Sequence, residues 1–243
     1  ACRGHLVYRH AEEIFTRGRD MLDEVAGRST GMPRKLEVGI IDVFPKLVVR
    51  RLLEPVLTLG EPVRLVCHED NYDRLLARLS LHELDVVLAD APIPTGSSVR
   101  AFNHLLGQCG VALYGTHALA RRYKPGFPAS LSDAPMLLPL ERVTLRRSMD
   151  HWLSSLELRP RVVAEFEDSA LLKVFGSEGH GLFPAPLVVE DEIVAQYGVT
   201  RVGLLEGVSE RFYAVSAERK LRNPGVVAVT DAARRGLFGH TKG

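Results

Sequence analysis

Cysteine is scarce: the 243 residues hold three thiols, Cys2, Cys67 and Cys109. Their number is odd, their spacing long, and no CxxC pair occurs, so neither a disulfide framework nor a zinc ribbon is expected and a reducing compartment is favoured. Long apolar runs are missing too. None reaches the roughly 18–20 residues that a bilayer-spanning helix needs, so no membrane partner is expected. Neither sign of charge dominates: 31 Lys and Arg against 30 Asp and Glu leave a net charge of +1. Such a balance sets up no field that would gather a polyanion, and a chain reading DNA on its own would carry a basic face. A secretory apolar core is absent from Ala1-Cys2-Arg3-Gly4-His5, which also starts without Met; a cytoplasmic protein, and a fragment of a longer chain, are expected.

Catalytic and cofactor motifs are equally thin. There is no Walker sequence and no Gly-x-Ser-x-Gly elbow. The nine histidines are scattered, none at structural-zinc spacing from a Cys or another His. The one glycine-rich run, Gly176-Ser177-Glu178-Gly179-His180-Gly181, lies between a helix and a strand. A phosphate cradle needs strand then helix, so that backbone N–H groups face the anion. No enzyme, cofactor or metal is therefore expected.

What is present is periodicity. Val7, Ala11, Ile14, Gly18, Met21 and Val25 alternate at spacings of four and three, the seam of a short coiled coil, and Phe15 and Leu22 widen it. This predicts a helix over 5–26, either an amphipathic helix lying on its own domain or an interchain dimer helix with Ala11, Ile14, Phe15, Met21, Leu22 and Val25 as dimerisation residues. Residues 27–34 carry turn formers and read as a hinge. The pattern then changes to strands over 36–41, 63–67 and 86–89, alternating with helices over 47–57 and 72–81. Short β-α-β-α-β connections imply a parallel sheet covered by helices. A second series follows: strands at 111–114, 136–138, 162–166, 181–183 and 199–202, with helices after Thr116 and over 145–156, 170–175 and 187–197. Met149, Trp152, Leu153 and Leu156 point inward on the longest of these. A last strand, 212–215, precedes a helix opened by Asn223-Pro224.

Two α/β units with a returning strand and helix imply two lobes joined by crossing strands. The predicted boundaries are 1–26, 27–34, 35–108 for the first part of lobe I, 109–211 for lobe II, and 212–238 for the return to lobe I. Ligands of open α/β sheets bind beyond the carboxyl ends of strands. Asp42, Asp90, Glu167 and Asp168 all fall at such ends. Asp42 and Asp168 each precede a helix and could equally be N-caps.

This order resembles the LysR-type transcriptional regulators. Phe44-Pro45-Lys46-Leu47-Val48-Val49-Arg50, Arg64-Leu65-Val66-Cys67-His68-Glu69-Asp70 and Asp85-Val86-Val87-Leu88-Ala89-Asp90 resemble the branch that regulates sodium/proton antiporters. So do 102–110, 165–171, 212–219 and the helix segment 6–15, covering nearly the whole chain. The resemblance implies a two-lobed α/β regulatory domain of the periplasmic-binding-protein type 2 kind behind a linker helix. It implies an activator, assembling with itself as a dimer or tetramer, and reaching DNA through an N-terminal winged helix-turn-helix that this sequence begins after. It implies an effector site of Asp42, Val43, Phe44, Asp90, Ala91, Thr144, Glu167, Asp168 and Phe183, and a response to Na+ or Li+. A cation would need the carboxylates to outweigh the positive helix N-termini beside them, whereas an organic anion would meet those N–H groups. A solute-binding protein of transport shares the architecture, but would need a signal or lipid anchor and no linker helix.

Overall fold

A computed structural model describes residues 34–60, 62–94, 96–97, 99–219, 221 and 223–239, together with Ile14 and Gly18. Of the expected dimerisation residues, Ala11, Phe15, Met21, Leu22 and Val25 lie outside the described residues. Ile14 is helical and 70% exposed.

The strands are β1 (Arg34–Ile41), β2 (Val63–Asp70), β3 (Val86–Ala89), β4 (Phe102–Gly115), β5 (Pro135–Pro139), β6 (Arg161–Phe166), β7 (Phe183–Pro186) and β8 (Thr200–Ser216). The helices are α1 (Lys46–Leu53), α2 (Tyr72–Ser80), α3 (His117–Tyr123), α4 (Thr144–Ser155), α5 (Ser169–Ser177), α6 (Glu190–Tyr197) and α7 (Pro224–Asp231). Six strands form one sheet in the order β2-β1-β3-β8-β4-β7, and β5 and β6 pair separately. The fold is α/β, as expected.

The sheet is mixed rather than purely parallel. β1 and β3 run parallel, with Val38 opposite Val86, but β3–β8, β4–β8 and β4–β7 are antiparallel. Two strands are also far longer than the sequence pattern suggests. β4 begins at Phe102, and the segments read as separate strands near 200 and 213 are one strand, β8. Gly203, Gly207 and the charged stretch between Leu205 and Phe212 look like a loop in sequence. In the fold they lie in a ladder that absorbs irregularity through register shifts at Leu105/Gly107, Gly110/Ala112 and Leu113/Tyr114. The β4–β8 pair runs past both groups of helices and ties them together.

Capping residues set the helix starts. Asn71, Thr116, Asp168 and Asn223 each accept a backbone N–H from the first turn of α2, α3, α5 and α7. α1, α4 and α6 have no side-chain cap: they follow Pro45, Val143 and Val189, and the Asp42 side chain caps nothing.

One buried cluster packs β1 and β3 against α1, α2 and α7 through residues such as Val38, Ile40, Leu52, Leu75, Leu79 and Val229. A second joins Leu131, Met136, Leu138, Met149, Trp152 and Leu153 to Val202 and Leu205 of β8. Each fully buried side chain of this kind contributes about 1.5–3 kcal/mol. Leu156, expected inward, is 43% exposed, because α4 ends at Ser155 and the chain turns away. Arg146 is the reverse case. It is buried, donating to both carboxylate oxygens of Asp150, to the Pro139 carbonyl and to Glu165, which fastens α4 to β5 and β6.

The glycine-rich run serves packing. Gly176 lies against the Phe183 ring, Gly179 has φ +83°, and Gly181 sits 3.0 Å from the Pro135 carbonyl oxygen at its Cβ position. Side chains at 176 and 181 would collide with these neighbours, and L-residues rarely adopt the φ of 179.

Candidate functional site

Strand carboxyl ends from several elements converge on one cleft. The loop after β1 brings Val43 and Pro45, β5 and the start of α4 bring Pro139, Val143 and Leu145, and the β6–α5 corner brings Phe166, Glu167 and Ser169. Leu172 and Lys173 of α5, Pro184 and Pro186 of β7, and Glu210 of β8 complete the lining. The space is about 410 Å³, counting its solvent-open mouth. Its walls are aliphatic and prolyl, and its polar groups are few, as such sites require.

Two of those polar groups are a buried ammonium and a buried carboxylate. Lys173 is 4% exposed, and its Nζ donates to the Ser169 carbonyl at 2.8 Å. Burial pulls its pKa down to about 8; Glu210 and Asp168 resist and Lys46 assists. Glu210 keeps part of its surface in solvent, but its Oε2 is enclosed. Burial pushes its carboxyl up to about 7, Asp90 adding to the rise and Lys173 opposing it. Among the described residues, neither Glu210 Oε2 nor Ser169 Oγ has a hydrogen-bond partner, and no direct ion pair joins Lys173 to Glu210. Buried polar groups are rarely left this way without a reason.

Beside the cleft, β3 and α4 meet. The Asp90 carboxylate faces the Thr144 hydroxyl and backbone N–H as an acceptor. Burial raises its pKa, with Thr144 and the Arg147 guanidinium pulling the other way. Next to it the Tyr72 hydroxyl donates to the Ala91 carbonyl at 3.1 Å, and burial raises the phenol further.

The residues singled out from the sequence fall into three groups. Val43 and Glu167 line the cleft, Glu167 paired with Arg142; Asp90 faces Thr144 of α4, and the Ala91 carbonyl accepts from Tyr72 of α2. Asp168 caps α5, accepting from Ala170 and Leu171 at 2.9 and 3.3 Å. Asp42 offers its backbone carbonyl to Lys46 at 3.4 Å. Phe44 and Phe183 are fully buried: Phe44 packs edge-on against Phe212 and Phe183 stacks on Tyr114. They support the cleft from within the core, while their neighbours Pro45 and Pro184 reach its surface.

Lys173 and Glu210 escaped the sequence reading, though each left a trace. Lys173 is the one charge in the apolar helix stretch Ala170-Leu171-Leu172-Lys173-Val174-Phe175. Glu210 shares a strand face with Val208, Phe212 and Ala214, all buried. Cys109 is Glu210's cross-strand partner; burial pushes its thiol up to about 12, so it stays protonated and unreactive. Among the described residues, no three His, Cys, Asp or Glu side chains gather as a metal site, and no helix is long and apolar enough to cross a membrane.

Comparison with known proteins agrees with this architecture. The LysR substrate binding domain family matches residues 29–237. Transcriptional activator protein NhaR of Escherichia coli (strain K12) is 34% identical over 235 residues, which are 97% of this chain and 77% of that protein. The protein of the same name from Shigella flexneri matches to the same extent. The reduced regulatory domain of OxyR2 from Vibrio vulnificus has a TM-score of 0.64 at 15% identity, covering 84% of this chain and 96% of that one. The effector binding domain of QuiR in complex with shikimate has a TM-score of 0.61 at 14% identity, covering 86% and 99%. Those two likenesses speak for the fold. The family match and the relative identical at a third of positions along nearly the whole chain go further: the chain belongs to the LysR family of transcriptional regulators and carries its effector-binding domain.

Proposed function

We propose that this chain is the sensing and assembling part of a cytoplasmic activator that controls a sodium/proton antiporter in response to Na+ or Li+. Residues 35–108 with 212–238 act as one lobe and 109–211 as the other, and the effector closes the cleft between them. The observation that carries this reading is the apolar-walled cleft at the strand carboxyl ends, lined from both predicted lobes, with the Asp90–Thr144 contact bridging them. Asp42, Val43, Phe44, Asp90, Ala91, Thr144, Glu167, Asp168 and Phe183 form or support the effector site. An effector shifts the open–closed equilibrium only through its differential affinity for the two states. Helix 1–26, hinged at 27–34, pairs with a second copy, so that closure changes how an assembled regulator meets its DNA. The antiporter and its cation cue rest on the resemblance of segments 44–50, 64–70, 85–90 and 165–171 to that branch.

Titrating the chain with NaCl, LiCl and KCl at matched ionic strength tests the cue by thermal shift. Na+ and Li+ are expected to raise the melting temperature above the KCl control; three equal curves would sink the alkali-cation response. Light scattering across a concentration series tests assembly, and a monomer throughout would remove it.

A further inference from the structure

We infer that the floor of the cleft is a subsite for a small zwitterionic head group: Glu210 takes its cationic end, Lys173 its anionic end, and Ser169 Oγ a further hydrogen bond. This rests on the cleft being the effector site and on nothing about the cation cue.

The other charges around the cleft are already committed. Glu167 pairs with Arg142, Lys46 with Glu69 at 2.7 Å, and Asp90 with Thr144. Asp168 occupies the first N–H groups of α5, so that helix end offers little to an anion. Lys173 and Glu210 are left, one of each sign. Both line the same space without a direct ion pair, and Lys173 has used one of its three N–H bonds, on Ser169. A bare cation here faces the Lys173 ammonium. A bare anion faces the Glu210 carboxylate. A ligand carrying both charges a bond or two apart satisfies both, and gives the enclosed Glu210 Oε2 and Ser169 Oγ the partners they lack. The surrounding Val43, Leu145 and Pro184 suit a short aliphatic body. Together these features describe a small aliphatic α-amino acid or a molecule with the same head group.

The test titrates the 243-residue chain, wild type and variants, with glycine, L-alanine and L-valine. Acetate and methylammonium present each end separately, and NaCl serves as the cation probe, all at matched ionic strength near neutral pH. Methyl resonances of Val43, Leu145 and Leu172 report on the cleft. A zwitterion is expected to move them saturably where neither acetate nor methylammonium does. Lys173→Met and Glu210→Gln are each expected to weaken this binding at least about tenfold, as removal of one member of a desolvated charge contact does. Ser169→Ala, the mildest change, should weaken it less, and keeps the test open if either charge variant unfolds. Three results overturn the inference. If acetate alone moves the cleft methyls and Lys173→Met abolishes this, the cleft is a site, but for an anion. If Na+ alone moves them, more strongly in Lys173→Met, it is a site for a cation. If no probe moves them, both the subsite and the cleft reading fall.

Discussion

At the scale of single residues, Lys173 and Glu210 predict an unusual pH dependence of stability. Glu210 is raised in the fold to about 7 from an ordinary 4.5, so the folded state holds a proton that the unfolded state has released. Stability is then full below about 4.5 and falls as pH rises through 7. Lys173 is depressed to about 8 from 10.5, so its contribution is full above 10.5 and is lost as pH falls through 8. The two limbs leave a shallow minimum between 7 and 8. Denaturant unfolding across pH should show Glu210→Gln flattening the acid limb and Lys173→Met the alkaline one; a variant that leaves its limb intact would place that charge in water. This pair was hard to read from sequence for a simple reason. A lysine and a glutamate 37 positions apart look like two ordinary solvated side chains, and only the antiparallel return of β8 brings them to one cavity. Asp90 and Glu167 were legible because a strand's carboxyl end is a local signal.

At the scale of elements, helix caps give a contrast between two aspartates that look alike in sequence. Asp168 accepts two N–H groups at the start of α5, while the Asp42 side chain caps nothing. Asp168→Ala should cost about 1 kcal/mol in chemical denaturation. Asp42→Ala should stay within about 0.5 kcal/mol, as surface changes away from such features do. Equal losses would mean that the cap assignments are wrong. Short strands and capped helices were legible because their signals, period and cap, sit within a few residues. β4 and β8 were not. Their glycines and charges mimic turns, and their pairing is settled by partners about a hundred residues away in sequence. The mixed strand directions follow from that same pairing, which no local pattern encodes.

At the scale of the whole molecule, Asp90 at the end of β3 faces Thr144 at the start of α4, whose neighbours Val143 and Leu145 line the cleft. Asp90→Ala leaves the Thr144 N–H and hydroxyl without this acceptor and should cost about 1–3 kcal/mol. If the contact holds the cleft shut, small-angle scattering should show a larger radius of gyration for the variant. An unchanged radius with the same loss of stability would make the contact a simple brace.

Gly115 of β4 stands opposite Thr200 of β8, so residues 116–199 depart from the β4–β8 ladder and return to it at one place, and on the way Phe183–Pro186 come back to pair with β4 as β7. In polymer terms that segment is two closed excursions, pinned between them at β7, and only their flexible turns are indifferent to length: doubling a flexible loop costs only about 0.6 kcal/mol. The molecule is thus built as a hairpin whose inserted segment is stitched back to it by a strand of its own. Length can be added in the turns of that segment, whereas shortening it to a tight turn between 115 and 200 would remove β7, leave one edge of β4 unpaired and take Phe183 from Tyr114.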